Sequence, residues 1–136
     1  MTLERFRQLC LKHPGATEQI QWGADLVFKV GGKMFAVACT DAAYPNAKAC
    51  SFKSDGEDFA ELCEREGVGP APYLARAKWV ALDTWSALPD REIGALVGKS
   101  YTLVRAGLTK KAQAALGASP VAAARPRRPR AGKARR

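Results

Sequence analysis

Two short runs rich in apolar residues flank the glycine pair Gly31-Gly32, within the segment WGADLVFKVGGKMFAVAC over residues 22–39. The runs are predicted to be two β-strands joined at the glycines, because paired glycines tolerate the positive φ angles of a tight hairpin turn, and side chains then alternate between the two faces of each strand. A two-residue turn sets the register, which pairs Val30 with Lys33, Phe28 with Phe35, and Leu26 with Val37. One predicted face is apolar and comprises Leu26, Phe28, Val30, Phe35 and Val37. The other is mixed and comprises Asp25, Val27, Lys29, Met34 and Ala36.

Apolar stripes at helical spacing predict four helices elsewhere in the chain. Residues suited to N-capping precede two of them: Thr2, and Ser54 in the capping-box pattern Ser54-Asp55-Gly56-Glu57. Pro89 favours the start of the longest one, because proline suits the first turn of a helix. The predicted helices cover residues 2–12, 54–67, 88–107 and 108–116.

Three further strands are predicted at residues 18–22, 48–53 and 77–82. Residues 68–75 contain two prolines and are predicted to form a connector. In the last strand, Lys78 and Val80 share one face, while Trp79 and Ala81 share the other. The order of elements predicts an α+β domain in two layers, with a mainly antiparallel sheet and helices packed on one face.

The net charge of +9 is concentrated at the end of the sequence. Residues 118–136 hold seven Arg or Lys and no acidic residue, whereas residues 1–117 hold fifteen basic and thirteen acidic residues. The segment ASPVAAARPRRPRAGKARR has no apolar periodicity, so it cannot bury enough surface to offset its ordering entropy. We therefore predict a folded domain over residues 1–117 and a disordered basic tail over residues 118–136.

Residues that could carry catalysis or hold a metal are sparse. The single histidine, His13, stands beside Pro14 at a predicted helix end, away from any nucleophile motif. The cysteines lack CxxC spacing and are predicted to be buried free thiols, with a disulfide between Cys39 and Cys50 as the alternative. The four cysteines are Cys10, Cys39, Cys50 and Cys63. We expect no enzymatic activity, no cofactor and no bound metal.

Several segments, taken in order, resemble the MmcQ/YjbR-like proteins. They are Trp22-Gly23, FKVGGKMFA at 28–36, SFK at 51–53, APYLARAKWVAL at 71–82, SYTLV at 100–104 and LTKK at 108–111. The resemblance covers about residues 1–117, and the tail lies outside it. It implies helices packed against an antiparallel sheet, akin to the CyaY-like or double-wing arrangement, and it implies DNA binding.

Lysines interleaved with aromatic residues are the candidate binding residues, because ammonium groups can hold phosphates and aromatic rings can stack on bases. In the alternative interpretation, the aromatic rings fill the core and the lysines are ordinary surface charges. The nucleic-acid-binding candidates are Lys33, Lys53, Arg76, Lys78, Lys110 and Lys111, with Arg125, Arg127, Arg128 and Arg130 in the tail. The candidate groove residues are Trp22, Tyr73, Trp79 and Tyr101.

The sequence thus predicts a non-enzymatic, monomeric DNA-binding protein with weak sequence preference, whose tail adds nonspecific affinity for phosphates. The alternative is a module that binds a protein or a small ligand, with no DNA role for the folded domain. We expect a bacterial-type cytoplasmic protein, because the sequence has no long apolar run and the segment MTLERFRQLC lacks the apolar core of a signal peptide. DNA binding by a domain of charge +2 requires its lysines to gather on one surface.

Overall fold

The structure is a computed structural model that describes residues 1–21, 25–40, 47–71 and 74–116. The elements in chain order are α1 (Leu3–Leu11), β1 (Thr17–Gln21), β2 (Asp25–Val30), β3 (Lys33–Cys39), β4 (Cys50–Lys53), α2 (Gly56–Leu62), β5 (Val68–Pro70), a 3₁₀ helix (Ala75–Ala77), β6 (Trp79–Leu82), α3 (Asp90–Ala106) and α4 (Lys110–Leu116). The predicted tail over residues 118–136 lies outside the described residues.

The six described strands form one antiparallel sheet in the order β1-β2-β3-β4-β6-β5. Phe6 of α1 and Ile93 of α3 share the main core with Phe28 and Phe52 of the sheet. The second face of the sheet, which points away from these helices, carries a smaller apolar cluster. That cluster comprises Val27, Val37, Ala71, Trp79 and Ala81. The predicted α+β class, with helices packed on one face, is confirmed.

The predicted turn at Gly31-Gly32 is confirmed, and both glycines have positive φ angles, 59° and 83°. Val30 lies opposite Lys33 as expected, but the register then shifts by one residue between Phe28 and Lys29. The shift arises because Phe35 is the extra residue of a β-bulge, which leaves two residues of β3 opposite one of β2.

The bulge makes part of the predicted register wrong. Phe28 pairs with Ala36 instead of Phe35, and Leu26 pairs with Ala38 instead of Val37. Consequently Val37 belongs to the second face, while Ala36 joins Phe35 in the main core. Both core residues are fully buried, so the bulge packs two adjacent side chains of β3 against the helices.

A fully buried hydroxyl, that of Ser100 in α3, satisfies the backbone groups that the bulge disrupts. Ser100 Oγ donates to the carbonyl oxygen of Phe35 at 2.5 Å and accepts from the backbone N–H of Lys53 at 3.0 Å. Pairing between β3 and β4 stops at Ala36 opposite Phe52, directly before these groups. One side chain of α3 therefore joins the bulge in β3 to the end of β4.

The predicted capping box at the start of α2 is wrong. The helix begins at Gly56, and Asp55 is its cap, with Oδ1 accepting from the backbone N–H of Asp58 at 2.7 Å. Ser54 is 5% exposed, and its hydroxyl donates to the carbonyl oxygen of Lys78 at 2.7 Å. Because that hydroxyl is bound to the carbonyl that precedes β6, the carboxylate of the next residue, Asp55, caps the helix instead.

The other predicted elements are confirmed apart from shifts at their ends and one missed strand. The predicted connector over 68–75 contains β5, which pairs with β6 from Val68 opposite Leu82 to Pro70 opposite Val80. Gly69 and Pro70 made this segment resemble a connector, because both residue types are rare within strands. Both are tolerated here because β5 is an edge strand.

We predict that Ser100→Ala lowers the free energy of unfolding by about 1–3 kcal/mol, because a buried carbonyl and a strand N–H lose their shared partner. Urea unfolding of the purified chain measures the change. Thr102→Ala is the matched control, since Thr102 lies on the exposed side of α3 and its hydroxyl donates only to the Gly98 carbonyl. Equal, small losses in both variants would contradict the bridging role of Ser100.

Candidate nucleic-acid interface

The sheet has two ends, and the Gly31-Gly32 turn lies at one of them, which we call the hairpin end; the other is the far end. Since neighbouring strands are antiparallel, β1 and β6 begin at the hairpin end, whereas β4 and β5 finish there. A Cβ atom added at Gly31 would lie 2.6 Å from Leu108 Cδ1, so the connection between α3 and α4 packs directly on the turn.

Among the described residues, basic side chains collect at the hairpin end. Ten lie there: Lys12, Lys29, Lys33, Lys53, Arg76, Lys78, Lys99, Arg105, Lys110 and Lys111. Four acidic side chains accompany them: Asp55, Glu57, Asp58 and also Glu18, which follows Thr17 in β1 and pairs with Arg7 of α1. The six candidates predicted within the domain are all among the ten, so the fold brings them to the same end of the sheet.

The far end of the described structure has the opposite balance. Its acidic residues are Glu4, Asp25, Glu61, Glu64, Glu66, Asp83, Asp90 and Glu92. Its basic residues are Arg5, Lys48, Arg65 and Arg91. A domain of nearly balanced total charge therefore has one positive end and one negative end.

Ion pairs follow the same division. The far-end pairs are Met1 (through its amino group) with Asp90, Arg5 with Asp90, Lys48 with Asp83, and Arg65 with Glu92. At the hairpin end, Lys99 pairs with Asp58, and Glu18 of β1 pairs with Arg7, which also contacts Glu4. Eight hairpin-end cations have no acidic partner among the described residues: Lys12, Lys29, Lys33, Lys53, Arg76, Lys78, Lys110 and Lys111.

Backbone contacts hold Lys53 and Lys78 in fixed positions. Lys53 is half-buried at the end of β4, and its Nζ donates to the carbonyl oxygen of Ala77 at 2.9 Å. Lys78 has a φ angle of 67°, a region that side-chain-bearing residues seldom occupy. Its carbonyl oxygen accepts from both the backbone N–H and the hydroxyl of Ser54, and its Nζ lies 5.4 Å from the centre of the Phe59 ring. These contacts hold the turn between the 3₁₀ helix and β6 against β4.

The remaining candidates within the domain are exposed. Lys33 opens β3 beside the turn, Arg76 lies in the 3₁₀ helix, and Lys110 and Lys111 open α4. Their ammonium and guanidinium groups are thus free to meet an anion without displacing an existing ion pair. Candidates Arg125, Arg127, Arg128 and Arg130 of the tail lie outside the described residues.

The structure does not bring the described groove candidates together. Trp79 lies in the apolar cluster of the second face, whereas Tyr101 lies in the main core beneath α3. Each is 4% exposed, which confirms for these two residues that aromatic rings fill the cores. Trp22 and Tyr73 lie outside the described residues.

His13 is half-buried beside Tyr101, with ring centres 4.6 Å apart and the rings stacked. Tyr101 in turn donates its hydroxyl hydrogen to the carbonyl of Pro14 and accepts from Arg105 Nη1 at 2.8 Å. Burial lowers the pKa of His13 below its ordinary value, and the positive charge of Lys12 lowers it further. His13 is therefore a neutral packing residue at neutral pH.

No disulfide joins the four cysteines Cys10, Cys39, Cys50 and Cys63. Cys10 and Cys50 are buried as predicted, and burial raises the pKa of both thiols; Cys39 and Cys63 are partly exposed. Within the described residues, no group of His, Cys, Asp or Glu side chains is placed to hold a metal ion. No helix in this part of the chain is long and apolar enough to cross a membrane.

Two of the eight hairpin-end cations without acidic partners, Lys12 and Lys29, were not among the candidates predicted from the sequence. The hairpin pattern predicts Lys29 on the mixed face. In the structure it lies opposite Thr17 of β1 and Met34 of β3. Its place next to the turn was the signal that could have identified it. Lys12 joins the cluster only because α1 ends at the hairpin end, which follows from the topology rather than from any motif.

Stability should decrease as the pH falls below about 6.5, because the folded protein keeps His13 neutral while the unfolded chain takes up a proton there. The stabilisation is complete above the ordinary pKa of histidine and is lost as the pH falls toward the lower folded-state pKa. Urea unfolding at about pH 7.5 and about pH 5.5 measures it, and His13→Gln should reduce the difference. An unchanged difference in that variant would mean that other groups cause the pH dependence.

Comparison with known proteins places this architecture in a family. The profile of the YjbR family matches residues 11–103, which include the whole sheet and most of α3. The chain is also 32% identical over 105 residues to the uncharacterized protein YjbR of Escherichia coli strain K12, an alignment that covers 74% of this chain and 85% of that protein. The YjbR protein of Escherichia coli O157:H7 matches with the same identity and coverage. This chain therefore belongs to the YjbR family.

Proposed function

We propose that this protein binds duplex DNA without catalysing a reaction, and that the hairpin end of the sheet forms the contact surface. The observation that supports this proposal most strongly is the gathering at that end of eight cations that have no acidic partner in the part of the chain that the structure describes. Unpaired lysines suit phosphate binding, because they release condensed counterions from DNA and need not first break an ion pair.

The negative far end strengthens the case for an oriented contact. A polyanion is repelled by the side of the domain that carries Glu64, Asp83 and Asp90 and is attracted by the side that carries Lys33 and Lys110. Such an uneven field steers association and raises its rate at low salt. DNA therefore approaches the domain from the side of its hairpin end.

The proposed binding depends mainly on phosphates and has weak sequence preference. Trp79 and Tyr101 are too deeply buried to stack on bases, and most of the exposed cations are lysines, which act as point charges rather than as bidentate readers of base edges. The seven basic residues of 118–136 add further sequence-independent affinity. A DNA partner also agrees with the cytoplasmic location expected from the sequence.

We expect Arg76→Glu and Lys110→Glu each to weaken the binding of duplex DNA about tenfold near 0.1 M salt, and to lower the salt slope of log K by about 1. Both residues are exposed, so the fold tolerates the change. Fluorescence anisotropy with a labelled duplex across a salt series measures both quantities. Arg91→Glu is the matched control, because it alters the net charge equally at an exposed far-end position and should change affinity less than about twofold.

A second variant separates the domain from the tail within the full chain, by changing Arg125, Arg127, Arg128 and Arg130 to Gln. This variant should bind DNA more weakly but remain sensitive to Arg76→Glu. Loss of all binding in it, together with no effect of Arg76→Glu in the natural chain, would restrict DNA binding to the tail. That result would favour the alternative of a domain that binds a protein or a small ligand.

A further inference from the structure

The two edges of the sheet differ in how they are protected against further pairing. β5 is three residues long and contains Gly69 and Pro70, and proline cannot donate a backbone hydrogen bond to a new strand. β1 is five residues long, contains no proline or lysine, and pairs with β2 in an unbroken register from Thr17 to Gln21. Natural proteins usually block such an edge, and no strand of the described residues pairs with the outer side of β1, so that side is suited to receive another strand.

The side chains of β1 also lack the charge that would repel a second strand. Glu18 is its only charged residue, and both of its carboxylate oxygens accept from Arg7 of α1 at 2.7 Å. Ile20 is the one large hydrophobic residue that is strongly exposed among the described residues, at 57%. The edge therefore has a neutralised carboxylate and an uncovered apolar side chain on the same face of the sheet.

We propose that β1 pairs antiparallel with β1 of a second copy of this chain, so that two sheets join into one of twelve strands. A two-fold axis normal to the sheet relates the copies and keeps their helices on the same side. The whole of β1 is used when Gln19 lies opposite Gln19 of the second copy. Ile20 then lies opposite Glu18 of the second copy and diagonally adjacent to its Ile20, within contact distance.

The charge distribution of the domain favours a second copy over an unrelated peptide. Antiparallel pairing reverses the second copy along the strands, which sets the positive hairpin end of each copy beside the negative far end of the other. Residues such as Lys12 and Lys29 at one end thereby approach the far end of the other copy, where Glu4 of α1 and Asp25 of β2 attract them across the seam. This complementarity follows from the fold alone and does not depend on the proposed DNA binding.

The contact is small, so the association is weak. Stable interfaces bury roughly 1,200–2,000 Å² in total, which is more than a five-residue strand with one exposed apolar side chain offers. The dimer should form in the micromolar range or above, and its population should increase with protein concentration and decrease with salt. This departs from the monomer expected from the sequence.

Sedimentation equilibrium of the full chain over about a hundredfold range of concentration tests the proposal, with Gln19→Lys and Gln19→Glu as the variants. Gln19 is exposed, so both variants should fold, and each places two like charges opposite one another at the two-fold axis. Each variant alone should associate at least about fivefold more weakly than the natural chain, whereas an equimolar mixture of the two should regain association.

Ala60→Lys serves as the control, because Ala60 is exposed on α2, which packs against β5 and β6 at the opposite edge of the sheet from β1. It should leave the association unchanged. Hydrogen exchange adds a second readout, since the amides of β1 should exchange more slowly at high protein concentration while those of β5 should not change. A chain that stays monomeric throughout, or Gln19 variants that associate as the natural chain does, would overturn the proposal.

Discussion

The hydroxyl of Ser100 determines how the sheet, the main helix and the basic end fit together. It accepts from the N–H of Lys53 and donates to the carbonyl of Phe35, so it replaces the strand pairing that the β-bulge removes. Without that bridge, β3 and β4 would leave unsatisfied backbone groups beneath α3. Because Lys53 and the adjoining Ser54 also hold the turn before β6, the same bridge positions part of the cationic surface.

The general architecture could be predicted from local patterns, and its irregular features could not. The glycine pair between two apolar runs indicated the hairpin, and the apolar stripe with Gly107 indicated α3, because each depends on neighbours in sequence. The bulge at Phe35 could not be predicted, since its partner Ser100 lies far away along the chain. For the same reason Asp55, and not Ser54, caps α2: the hydroxyl of Ser54 is bound to a strand end that only the folded sheet brings near it.

The candidate site, too, could be predicted only in part from the sequence. The basic residue types were apparent from the sequence, but their meeting at one end depends on the antiparallel topology. That topology places Arg76, in the 3₁₀ helix before β6, at the same end of the sheet as Lys33. Like charges repel one another, so gathering the cations at one end, apart from the acidic far end, lowers the free energy of unfolding of the isolated domain. Bound anions would reduce the repulsion among the cations of the hairpin end. A second copy paired along β1 would reduce it for the cations nearest that strand, such as Lys12 and Lys29.

The most direct test of oriented DNA binding is ¹⁵N NMR of the labelled full chain titrated with a short duplex near physiological salt. We expect amide shifts to concentrate at the hairpin end, around Lys33, Arg76 and Lys110, while amides near Arg91 and Asp83 at the far end stay unchanged. Shifts confined to residues 118–136, or spread evenly over both ends of the sheet, would contradict a binding surface on the folded domain.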